Sequence, residues 1–117
     1  MVALVAVLLG LARPPAAYVS VGASRVPLAI SSWCWGAHCG APIAASTRTA
    51  SVSRGGAVRV ELGFAPTRAS VAVAGVREPA TTTGREIAWR ATRGGGMTIN
   101  VRSAKGWVIY VGRLKLR

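Results

Sequence analysis

Apolar residues that alternate with polar ones, turn residues at short intervals and the lack of a helical stripe together predict an all-β chain. The strands are short and each has one apolar face, so two sheets must pack together or one sheet must close into a barrel. Connections of varying length favour the first arrangement. The expected fold is a two-sheet β-sandwich of about seven short strands, a single domain within 117 residues.

The elements follow in order. Residues 1–12 are almost wholly apolar, too short to span a bilayer (about 20 residues) but suited to the core of a secretory signal. Small residues at Pro15-Ala16-Ala17 and Val21-Gly22-Ala23 offer cleavage points. The expectation is a leader over 1–17, with cleavage that could extend to 23, and a β-sandwich domain over 24–117. No Lys or Arg precedes the apolar run, and the rival reading of that run is a buried N-terminal strand. Val26–Ser31, the tryptophan-bearing stretch after it and Thr47–Ser53 read as early strands with weak alternation. Val58, Val60, Leu62 and Phe64 share a face while Arg59 and Glu61 point to water; Gly55-Gly56 turns into this strand and Pro66 ends it. Ser70–Ala74 is a small-residue strand closed by Gly75, and the segment from Pro79 to Gly84 reads as the most loop-like insertion. Ile87 and Trp89 alternate with Glu86, Ala88 and Arg90 in the next strand. Met97–Arg102 and Trp107–Leu116 form a hairpin across Ser103-Ala104-Lys105-Gly106. Tyr110, Leu114 and Leu116 share one face of its last strand, Arg113 and Lys115 the other. Trp89 and Trp107, both within strand patterns, are expected in the core.

The densest chemistry lies in Ser31–Gly40, which holds both cysteines, the sole histidine and two of four tryptophans. Two cysteines in an exported chain predict a disulfide, Cys34–Cys39, with four residues between them. A structural zinc on Cys34, His38 and Cys39 lacks a fourth ligand, and adjacent His38 and Cys39 suit one tetrahedral ion poorly. The spacing is neither that of a redox dithiol nor that of a haem attachment. The chain has no Asp or Gln and a single Asn, so the usual hydrolytic constellations cannot be assembled, and Glu61 and Glu86 read as solvent-face charges. No enzyme, metal or cofactor is expected. In an extended segment Trp33 and Trp35 face one way and Cys34 the other. With His38, the two indoles either form a contact cluster for sugar rings or headgroups, or bury against the core.

Fifteen Lys and Arg against three Glu give a formal charge of +12. Such a surface attracts polyanions, here an anionic cell-envelope polymer or lipid headgroups. The basic residues are spaced singly, as on the solvent face of a sheet. That spacing, with no nucleic-acid module, argues against nucleic acid as the partner.

Trp33-Cys34-Trp35 with Cys39, Gly55-Gly56 before Val58–Phe64, and Gly96–Val101 followed by Gly106-Trp107-Val108-Ile109-Tyr110 form an ordered pattern over roughly residues 30–116. This pattern resembles small, mostly uncharacterised exported domains of Gram-positive bacteria that carry an aromatic-Cys-Trp box. The resemblance implies an immunoglobulin-like sandwich without an agreed activity. The chain departs from the pattern at Gly40, where an acidic residue often follows nearby. The function expected is that of an exported, non-catalytic binding or accessory module of the cell envelope, with Trp33, Trp35 and His38 as contacts. The alternative is a purely structural module of a larger surface assembly with no ligand of its own.

Overall fold

The computed structural model describes residues 13–45 and 48–117. Most of the expected leader, and Thr47 of the expected Thr47–Ser53 strand, lie outside the described residues. Among the described residues twelve strands are formed: β1 (Tyr18–Val21), β2 (Ser24–Pro27), β3 (Ala29–Trp35), β4 (His38–Gly40), β5 (Ala50–Val52), β6 (Ala57–Glu61), β7 (Arg68–Val73), β8 (Val76–Glu78), β9 (Thr81–Thr83), β10 (Glu86–Arg90), β11 (Gly95–Ser103) and β12 (Gly106–Leu116). One sheet runs β2-β1-β6-β10-β9. The other runs β4-β3-β12-β11-β7-β8, with β5 parallel to the end of β12.

The connectivity is that of an immunoglobulin-like sandwich. In that scheme β1, β6, β10 and β9 are strands A, B, E and D, while β7, β11 and β12 are C, F and G. Seven framework strands are therefore present. The total is larger because β2–β5 form an insertion between the first two of them and β8 adds an edge strand beside strand C. The tryptophan-cysteine box lies in this insertion, which widens the second sheet beyond β12.

Alternation sets the core. Val58, Val60, Ile87 and Trp89 point inward from the first sheet, and Val71, Val73, Met97, Ile99, Val101, Val108, Tyr110 and Leu114 from the second; all are buried. Each fully buried aliphatic side chain contributes about 1.5–3 kcal/mol relative to exposure. In β3 the phase changes within the strand. A register shift opposite Ile109/Tyr110 inserts one residue, so that Ile30 on one side of it and Trp33 and Trp35 on the other all face inward.

Residues before 24 pack with the rest of the described body: β1 pairs with both β2 and β6, and Ala17 and Val19 are buried. Two expectations are corrected. The Pro79–Gly84 segment contains a strand, because three β-branched threonines pair along the edge with β10. Trp107 is half-buried on the outer face of the second sheet. It shares the odd phase of Arg113 and Lys115, while Val108, Tyr110 and Leu114 face the core.

Candidate functional site

The box is a hairpin. Gly36, at φ 62°, takes the first central position of the two-residue connection between β3 and β4, as a II′ turn requires. This places Cys34 directly opposite Cys39, and the two are joined by a disulfide on the outer face. The indoles point the other way. Trp35 meets the Phe64 ring edge-on with centroids 4.9 Å apart, and Trp33 Nε1 donates to the Ala41 carbonyl at 3.0 Å. With 7% and 4% exposure, Trp33 and Trp35 are core residues and form no exposed contact platform. Their burial fills the space between the sheets at this end and satisfies an indole N–H. Only His38 of the three expected contacts is exposed, on the edge strand β4.

Gly40 has a steric origin. A Cβ there would lie 2.0 Å from Cζ2 of Trp33, so the indole packs on bare backbone across the hairpin. Any side chain at this position, acidic or not, displaces the ring. Gly106 instead lets the backbone of β12 come close to that of β3, since a Cβ on it would lie 2.0 Å from the Cys34 carbonyl oxygen.

The outer face of the second sheet sets a half-buried aromatic, Trp107, among charges of one sign. Register sets Cys39, Cys34, Trp107, Arg102 and Arg68 in one row across β4, β3, β12, β11 and β7. The adjacent row brings Ile109, Asn100 and Ser70 together, and Arg77 of β8 stands opposite Ala72. A shallow depression of about 570 Å³ lies over these residues, lined by Arg68, Ser70, Arg77, Asn100, Arg102 and Trp107. The three guanidiniums are exposed. The signal for this site was the hairpin itself. Once Ser103 pairs with Gly106, Arg102 must stand opposite Trp107.

The carboxylates are all elsewhere. Glu61 lies on the outer face of the first sheet, where it accepts a hydrogen bond from Ser20 Oγ and pairs with Arg25 Nε at 3.3 Å. The Ser20 hydroxyl first, then Arg25 and Arg59, hold Glu61 below the usual carboxylate range despite some desolvation. Glu86 stands directly opposite it on β10. Glu78 turns into the sandwich with 4% exposure, paired to Arg93 Nε at 3.0 Å and accepting from Thr92 Oγ1. The first sheet thus mixes both signs, whereas the outer face of the second carries Arg68, Arg77, Arg102, Arg113 and Lys115 and no acid among the described residues. An apolar depression of about 350 Å³ beside Val19, Leu28 and Val111 lacks a comparable convergence of charge.

Comparison of the chain with family models, with curated proteins and with solved structures gave no match.

Proposed function

We propose that this chain is an exported, non-catalytic binding module of the bacterial cell envelope, held to an anionic surface by the outer face of its second sheet. The observation that carries this reading is the segregation of charge: five basic side chains on one sheet face with every glutamate placed elsewhere. A single-sign face concentrates a field that draws polyanions, and salt weakens it over a Debye length of about 10 Å at 0.1 M. The disulfide fits an oxidising compartment. No helix among the described residues is long and apolar enough to cross a membrane. The contact assignment moves from Trp33 and Trp35 to Arg68, Arg77, Arg102 and Trp107; His38, opposite Trp35, lies off this face.

The test is retention of the folded chain on anionic wall polymer and on anionic vesicles, against neutral counterparts, across a salt series. Retention on the anionic surfaces that falls steeply between 50 and 500 mM salt is expected, those concentrations spanning roughly the range over which screening shortens to a few ångströms. Equal retention on neutral and anionic surfaces at low salt rejects the reading. A second reading, a structural module without a ligand, draws on the fully exposed edge strands β4 and β9, whose free backbone groups can pair with another chain. It predicts self- or partner association that is indifferent to loss of Arg68 and Arg102.

A further inference from the structure

Resting on that envelope-binding reading, we infer that the outer face of the second sheet binds a linear acidic polysaccharide, with a sugar ring on Trp107 and carboxylates on Arg102, Arg68 and Arg77. Arg102 and Arg68 are directly opposed across β11 and β7, both exposed. Like charges in that position oppose sheet pairing, and an anion bound between them relieves the repulsion. No acidic side chain lines the depression to do so. Guanidinium forks hold carboxylates through paired hydrogen bonds, which gives direction as well as charge.

The aromatic decides between polyanions. Trp107 continues the arginine row on the next strand, flanked on its other side by Cys34 of the disulfide hairpin, so its indole sits on a braced part of the sheet. The strand spacing of about 4.8 Å approximates one pyranose ring, so a chain laid across the strands sets one ring on Trp107 and its successors over Arg102 and Arg68. Asn100 and Ser70, in the neighbouring row, offer neutral partners for hydroxyl groups. A single-stranded nucleic acid stacks successive bases on several aromatics, and this face has one. A bilayer calls for apolar side chains that protrude. Among the described residues the large apolar side chain that is exposed is Val76, beside the β7–β8 turn and outside the depression.

The experiment compares binding of the folded chain to polygalacturonate, to fully methyl-esterified polygalacturonate, to inorganic polyphosphate and to a single-stranded oligonucleotide at low salt. Polygalacturonate is expected to bind and its ester to bind at least tenfold more weakly. Trp107→Ala is expected to weaken polygalacturonate about tenfold and leave polyphosphate unchanged. Arg68→Gln with Arg102→Gln is expected to weaken both. Should Trp107→Ala fail to fold, Trp107→Leu keeps an apolar side chain without the ring face, and Ser70→Glu sets a carboxylate among the guanidiniums; each is expected to weaken polygalacturonate binding. Polyphosphate or the oligonucleotide bound as tightly as polygalacturonate, or polygalacturonate binding indifferent to loss of the indole, overturns the glycan assignment and leaves the envelope reading standing. Absence of binding to every polyanion and to anionic vesicles overturns both.

Discussion

Tyr110 shows how much one side chain can anchor. It is fully buried, and its hydroxyl donates to the Pro15 carbonyl at 2.6 Å, tying β12 to the segment before β1. Burial raises its ionisation well above the ordinary value of 10.0. The unfolded chain therefore loses this proton before the folded one does. The stabilisation is complete below pH 10 and declines as pH rises beyond it. Tyr110→Phe is expected to cost about 1–2 kcal/mol at neutral pH, by orphaning the Pro15 carbonyl, and to flatten the fall in stability above pH 10. Denaturant unfolding at pH 7 and pH 11 on both proteins checks this. An unchanged alkaline slope in the variant removes Tyr110 as its source.

Among the elements, the β3–β4 hairpin separates two jobs that its sequence places side by side. Alternation sends the sulfurs out and the indoles in, so the disulfide clasps the rim while Trp33 and Trp35 complete the core. The closed loop is short, and by loop entropy the bridge contributes about 2 kcal/mol. Cys34→Ala with Cys39→Ala is expected to lose that amount in chemical denaturation while retaining the near-ultraviolet signal of packed tryptophans. Loss of that signal without global unfolding would show instead that the bridge holds the indoles in place. The hairpin's chemistry was legible in its residues, since period two assigns both faces. Whether the indoles faced core or water was not legible, because that depends on which side the other sheet packs. Gly40 was likewise opaque: its reason is a ring on the neighbouring strand.

At the level of the whole molecule, the two sheets differ in charge, and the N-terminal segment belongs to the body. Leu28 N–H donates to the Ala17 carbonyl at 2.9 Å, Ala17 is buried and Pro15 packs on the bare backbone of Gly63. A chain starting at Tyr18 is expected to be less stable than one starting at Arg13 by about 2–4 kcal/mol, for two buried hydrogen bonds and the buried alanine. Thermal melts of the two chains check this. Equal melting temperatures would mean that residues 13–17 contribute nothing to the fold. On this account a leader removed after Ala17 costs the domain an anchor, and removal after Ala23 takes out β1, which sits between β2 and β6.

The sequence by itself determined the all-β class, the inward faces of β6, β10 and β11, the disulfide and the excess of positive charge. Each is a local property, read from residue type and a period of two. Only the tertiary structure decided that the indoles of Trp33 and Trp35 are core and that Arg68, Arg77 and Arg102 stand together. Those outcomes depend on strand order and register. Strands β7 and β11 are remote in sequence and adjacent in space, and the inserted residue in β3 shifts its inward face partway along. A charge count cannot reveal that all three glutamates lie off one face. Sheet pairing does.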